Sequence, residues 1–283
     1  MHLRSVPRLV RKAAAGALLA VPFGSFGFAG VAASSGTAAT VAELHPLITV
    51  AGHGTSFKDS TSNNWSGYNQ GILSTDKTYT SISADWVVPT ATQHTAGQAE
   101  DSATWIGIGG GCLDTSCDAT DETLIQAGTD QNVAADGTAS YSAWWELVPV
   151  PSVNSTITVN PGDTINCSIS EIVPGLWSIS LKDVTDGQSF SETLPYTSTL
   201  DTAEWIEETP LEIGTDAGLA SLPNLSTVSF TDASVNGASA GLTSDEGVVL
   251  TDSNGNPIAT PSAPGSAGNA FNDCAWATTC AAP

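Results

Sequence analysis

The chain has 283 residues, 41% of them hydrophobic, with eight tryptophans and seven basic residues against 29 acidic ones, a formal net charge of −22. A surface that negative repels nucleic acid and anionic membrane, so both drop out as partners. The hydrophobic content and the tryptophans exclude a disordered acidic chain.

Residues 1–39 read as a secretory signal peptide. Arg4, Arg8, Arg11 and Lys12 precede an apolar, small-residue stretch from about Ala13 to Ala33, and no acidic residue occurs before Glu43. Pro22 and the glycines between Gly16 and Gly30 argue against a membrane anchor, which needs about 20 mostly apolar residues. Beyond that segment only Lys58, Lys77 and Lys182 balance the acids. Few carboxylates can then be salt-bridged, and protonation at low pH relieves like-charge repulsion. The composition suits an acidic medium, with a halophile-like solubility strategy as the competing explanation.

Residues 40–60, rich in Ser, Thr, Gly and Ala, read as a flexible arm or short propeptide, and 61–283 as one domain. From Asn64 onward, short β-favouring runs alternate with Gly, Pro, Asn and Asp turns. In 79–88, Thr80, Ile82, Ala84, Trp86 and Val88 share one face, and Tyr79, Ser81, Ser83 and Asp85 the other. Residues 155–159, 163–172, 175–184, 203–208, 226–235 and 247–252 read as further strands, and 254–270 as a Gly/Pro/Ser-rich loop. No long helix and no repeat is evident, which predicts an all-β sandwich or barrel. Cys112 with Cys117 and Cys274 with Cys280 each close a short loop and read as local disulfides, whereas Cys167, in the stripe Ile165–Cys167–Ile169, reads as a buried thiol. With no CxxC, and only His45, His53 and His94 beyond the leader, no metal site is expected.

Several catalytic signals fail. Gly237-Ala-Ser239-Ala-Gly241 spells GxSxG, but no histidine follows Ser239. Neither HExxH nor an Asp-Thr-Gly dyad motif is present, and the glycines of 107–111 read as a turn. Carboxylates remain. Residues 123–128 put the amide of Gln126 into an apolar strand. Residues 141–149 put Ser142, Trp144 and Glu146 on one face, with Tyr141, Ala143, Trp145 and Leu147 on the other. Residues 203–208 put Glu204, Ile206 and Glu208 together. On pattern alone these are solvent-facing acids beside tryptophans, a carbohydrate-binding groove, or a catalytic site.

The ordered set Asn64-Trp-Ser-Gly67, Trp86-Val-Val-Pro89, Trp105-Ile-Gly-Ile108, Leu124-Ile-Gln-Ala-Gly128, Ala143-Trp-Trp-Glu146 and Ala203-Glu-Trp-Ile-Glu-Glu208 resembles the glutamic peptidases (eqolisins). Each motif alone is weak; six in order, from Asn64 to the 230s, are specific. The resemblance implies an antiparallel β-sandwich of two curved sheets (jelly-roll or concanavalin-like) with a concave active-site groove. It implies a secreted, extracellular, monomeric acid endopeptidase acting on protein or peptide substrates without metal or cofactor. It matches the catalytic pair to Gln126 and Glu208, and cleft residues to Asp130, Trp144 and Glu146, with Trp65 and Trp105 as further substrate-contact candidates. The family's Tyr-Asp-Ala-Trp-Tyr-Glu-Trp-Tyr-Pro becomes Tyr141-Ser-Ala-Trp-Trp-Glu-Leu-Val-Pro149 here, so Ser142 replaces an acid and two aromatics become aliphatic, which bears on subsites more than on chemistry. The long fungal propeptide is missing or reduced to the stretch before residue 60. The rival readings are a non-catalytic carbohydrate-binding sandwich and a glycoside hydrolase pairing Glu146 with Glu208. The latter needs its carboxyls roughly 5–9.5 Å apart across a sugar and has no essential use for Gln126.

Overall fold

The computed structural model describes residues 42–52, 61–213 and 218–283; the signal segment, His53 and Lys58 lie outside the described residues. In chain order the strands begin with β1 (Ala42–Leu44), β2 (Val50–Gly52), β3 (Thr61–Ser62), β4 (Trp65–Gly71), β5 (Ser81–Val87), β6 (Ala91–Thr92), β7 (Ala103–Gly109) and β8 (Leu124–Val133). They continue with β9 (Ala139–Leu147), β10 (Val150–Asn154), β11 (Thr164–Val173), β12 (Leu176–Asp183), β13 (Ser189–Pro195), β14 (Thr202–Glu208) and β15 (Leu211–Ile213). The last are β16 (Gly218–Leu219), β17 (Asn224–Leu225), β18 (Val228–Val235), β19 (Ala238–Ser239), β20 (Gly247–Thr251), β21 (Pro257–Pro261) and β22 (Phe271–Ala275). Among the described residues helix is confined to Ile72–Thr75 and a 3-10 turn at Ser244–Glu246, and no helix is long and apolar enough to cross a membrane.

Two antiparallel sheets form a sandwich. One runs β10-β9-β8-β7-β14-β4-β20. The other runs β13-β12-β11-β5-β18-β22-β21-β20, so β20 is shared between them. The pairing follows from side-chain parity. In β5, Ile82, Ala84 and Trp86 are buried while Ser81, Ser83 and Asp85 are only half-buried, and β12 alternates likewise with Trp177, Ile179 and Leu181 inward. These meet Tyr68, Ile106, Ile108, Ile125 and Trp205 of the first sheet in one core. Each such side chain contributes about 1.5–3 kcal/mol by leaving water. Cys167 is a free thiol inside this core, and Cys112–Cys117 and Cys274–Cys280 are disulfides, as the spacing predicts.

Three local expectations change. Residues 155–159 bury Ile157 and Val159 but form no ladder, because the Gln188 side-chain amide takes the Thr158 N–H and C=O instead. Gly107–Gly109 belong to β7, and the turn begins only at Gly110. Within 254–270, Pro257–Pro261 are a strand paired on both sides, with Ala259 fully buried. Of the stretch 40–60, residues 42–44 pair with β15 and residues 50–52 with β3.

Candidate active site

The first sheet buries a second face, away from the core. Register fixes what stands on it: Gln126 lies opposite Gly107 and Glu146, Gly128 opposite Trp105 and Trp144, and Asp130 opposite Ala103 and Ser142. On β14, Glu204, Ile206 and Glu208 face this side, and Glu208 is in register with Trp65 and Ala103. The seven site residues matched from the sequence, Gln126, Glu208, Asp130, Trp144, Glu146, Trp65 and Trp105, therefore share one face. Gly128 makes room for the indoles: a Cβ there would stand 2.5 Å from the Cβ of Trp105.

Glu208 is fully buried in a cage of donors. The indole nitrogens of Trp65 and Trp105 donate to its carboxylate at 3.1 and 2.8 Å, and the Asn64 amide at 3.5 Å. The two indoles meet edge to face at 5.0 Å, which fixes both N–H directions. Burial drives the Glu208 pKa well above the usual carboxylate range, and the charge of Glu146 adds to it. The Trp105, Trp65 and Asn64 donors pull the other way. Glu146 is pushed up to about 8 by burial, against hydrogen bonds from the His45 backbone and Gln126. Asp130 rises to about 8, again through burial, against a 2.8 Å hydrogen bond from the Ser142 hydroxyl. Ser142, where the sequence resemblance leads one to expect an acid, thus serves as donor to the Asp130 carboxyl.

What covers this face is the stretch Glu43–Val50. The Gln126 side-chain amide donates to the carbonyl oxygen of His45 at 2.7 Å and to Glu146 at 3.1 Å, while the His45 N–H donates to Glu146 at 3.1 Å. The imidazole stacks on Trp144, with centroids 3.7 Å apart and planes within 2°. Its Nδ1 lies 3.3 Å from a Glu208 oxygen and its Nε2 3.7 Å from Asp130. Burial lowers the His45 pKa to about 3, so the ring is neutral here. One residue thus touches Gln126 through its backbone and Glu208 through its ring. Glu43, His45 and Asp130 also bring one ligand-type atom each within 4.8 Å of one another, the closest approach to a metal-ligand set at the site. Glu43 and Asp130 each already accept a hydrogen bond, from Asn132 and Ser142.

Sequence reasoning missed two participants. His45 sits 81 positions from Gln126 with nothing local to mark it. Asn64 opens the first motif without an assigned role, yet its amide donates to Leu47 at 3.1 Å and to Glu208, and its oxygen accepts from the Thr49 N–H. The opposite parity of β14 holds Glu207, which faces the interior between the sheets and accepts a 2.6 Å hydrogen bond from Thr104.

A β-sandwich with an amide and a caged carboxyl converging on one residue, His45, defines a class of protein. The Peptidase A4 family model matches residues 63–269, and the chain belongs to that family. It is 27% identical over 194 residues to aspergillopepsin-2 of Aspergillus niger, covering 61% of this chain and 64% of that protein. It is 30% identical over 130 residues to scytalidopepsin B of Scytalidium lignicola, covering 46% and 43%. The chain thus spans less than two thirds of the length of these relatives. Among solved structures it resembles scytalido-glutamic peptidase bound to a transition-state analogue inhibitor, at TM-score 0.58 and 25% identity over 75% of this chain and 98% of that one. It also resembles aspergilloglutamic peptidase from Aspergillus niger, at TM-score 0.50 and 25% identity over 62% and 99%.

Proposed function

We propose that this protein is a secreted, monomeric, acid-acting endopeptidase that hydrolyses peptide bonds with Gln126, Glu208 and an activated water. One observation carries the reading: the Gln126 amide already donates to a peptide carbonyl at 2.7 Å, with the Glu208 carboxyl 3.3 Å from the same residue. Glu208, ionised, takes a proton from the water attacking the scissile carbonyl and returns it to the leaving nitrogen. Gln126 does not titrate; its N–H₂ holds the oxyanion as it develops. Desolvation is the largest influence on Glu208, and the fully buried His45 ring lies 3.3 Å from its carboxyl. In an open groove that influence weakens while the indole and amide donors stay, so the pKa falls toward an acidic working range. Asp130, Trp144 and Glu146 line the adjacent subsite, and the Trp144 face takes a flat side chain. The two disulfides support an extracellular site of action.

The test is hydrolysis of a denatured protein at pH 3–5 by wild type, Glu208→Gln and Gln126→Ala. Both variants should lose activity with the fold retained. Full activity in both would end this reading. A glycan-cleaving or glycan-binding sandwich has no use for the Gln126 amide at a peptide carbonyl.

A further inference from the structure

One inward position of the second sheet carries an acid where its row calls for an apolar side chain. Along β12, Trp177, Ile179 and Leu181 point into the core, and Asp183 comes next in that row, with 0% of its surface exposed. Its Oδ1 accepts from the Thr185 and Asp186 N–H groups at 2.8 and 3.1 Å, whereas its Oδ2 has no hydrogen-bond partner. A buried carboxylate oxygen left bare is costly, and no lysine or arginine among the described residues pairs with it. Two further carboxyls converge there. Asp163, one residue before β11, is buried and accepts from the Asn160 N–H and side-chain amide at 2.7 and 3.3 Å, both on Oδ2, which leaves Oδ1 free. Asp186 stands exposed in the turn between β12 and β13. One carboxylate oxygen from each of the three lies within 4.8 Å of the other two. The backbone holds them in place: Asp183 is in register with Ile165, its carbonyl accepts from the Gly187 N–H at 2.9 Å, and the Asp163 carbonyl accepts from the Val88 N–H at 2.9 Å.

We propose that Asp163, Asp183 and Asp186 form a calcium-binding site that ties the start of β11 to the turn between β12 and β13. The donors are carboxylate oxygens alone, which suit a hard cation, and calcium bonds of about 2.3–2.6 Å bridge such a set with little movement. Water completes the shell on the open side, where Asp186 stands. Magnesium, with bonds of about 2.0–2.1 Å and reluctant to shed water, needs a tighter set. The cluster lacks the nitrogen and sulfur donors that zinc sites favour. An oxygen-only set leaves no Cys or His spacing in the chain, which is why the sequence points to no metal. The ion offsets the buried Asp183 charge and joins two segments 20 residues apart in the chain, Asp163 and Asp183. It takes no part in peptide hydrolysis: Gln126 and Glu208 stand on the first sheet, and these three acids belong to the second. The calcium site therefore stands or falls independently of the dyad proposed above.

The test uses the full chain, stripped with a chelator and held at pH 7 in near-physiological salt. Calorimetric titration with calcium chloride should show binding with a dissociation constant on the order of 10⁻⁴–10⁻³ M, the range of extracellular calcium modules. Calcium at about ten times that constant should raise the midpoint of thermal unfolding by about 3–6 °C. Magnesium at the same concentration and ionic strength should raise it by less than half as much. Asp186→Asn changes an exposed side chain and leaves the core intact; it should weaken calcium binding at least about tenfold and abolish the shift. Asp183→Asn, which keeps the Oδ1 acceptor and the side-chain shape, should do the same, and if it fails to fold Asp186→Asn decides alone. Equal shifts with calcium and magnesium would mean counterion screening of a chain with a formal charge of −22, and would overturn the site. Absence of calcium binding in wild type, or undiminished binding in either folded variant, overturns it as well.

Discussion

Asp273 offers a direct measure of how this fold depends on acid. Its side chain is 1% exposed on β22, where one oxygen accepts a 2.7 Å hydrogen bond from the Ser66 hydroxyl. Burial pushes its pKa from 3.8 up to about 7, with the serine and a backbone hydrogen bond acting in the opposite direction. Its charge also raises Glu207, which faces the same interior. In the unfolded chain the carboxyl ionises near 3.8, whereas in the folded chain it keeps its proton until about 7. The folded state therefore binds more protons across that window. This contribution to stability is full below about pH 4 and is lost as pH rises toward 7. At 1.36 kcal/mol for each pKa unit, the full loss is about 4 kcal/mol. Asp273→Asn mimics the protonated acid and cannot titrate. Urea unfolding of both proteins at pH 4 and pH 7 reads the effect together with the smaller shift Asp273 imposes on Glu207, the other buried carboxyls being common to the two. Wild type should lose about 3 kcal/mol more than the variant between those pH values, since the folded carboxyl is only half ionised at pH 7. Parallel losses in the two proteins would refute the argument that this carboxyl is held protonated by its surroundings.

The remaining expectations concern activity and chemistry. Glu208→Gln should cost peptide hydrolysis about 10²–10⁴-fold and Gln126→Ala on the order of 10²–10³-fold, with the double variant little worse than the first because both groups serve one intermediate. Steady-state rates on a quenched peptide at pH 4 decide it. Glu207→Gln should leave that rate within about twofold, because strand parity turns it into the interior; inactivation by this change alone would mean the register is off by one residue. Non-reducing peptide mapping should find Cys112–Cys117 and Cys274–Cys280 bridged, with Cys167 alkylated only after unfolding, since its thiol is fully buried.

Much of this architecture was legible because a strand's period of two leaves a direct mark on the chain. The alternation through 79–88 and 141–147 names the buried faces, and the same parity separates Glu208 from Glu207 although the two are chemically identical. The site's long-range assembly was not legible. His45 meets Gln126 and Glu146 only because β1 docks beside β15, and nothing within reach of His45 in the chain announces that pairing. Residues 155–159 show the limit from the other side. Their apolar alternation is genuine and Ile157 and Val159 are buried, but burial sets which side chains face inward and leaves open where the backbone finds its partners. The carboxyls of Glu207 and Asp273 likewise look like ordinary acids until the two sheets close over them.

The pairing of β1 with β15 bears on selectivity. Ala42, Glu43 and Leu44 lie in register with Ile213, Glu212 and Leu211, and a ladder of this kind is made of main-chain groups that every residue except proline supplies alike. An extended peptide taking the place of β1 would find the same donors and acceptors whatever its sequence. On that flank a substrate groove of the kind proposed above would read the shape of a chain rather than its letters, and discrimination would fall to contacts with side chains, such as the face of Trp144 on which the His45 ring stacks.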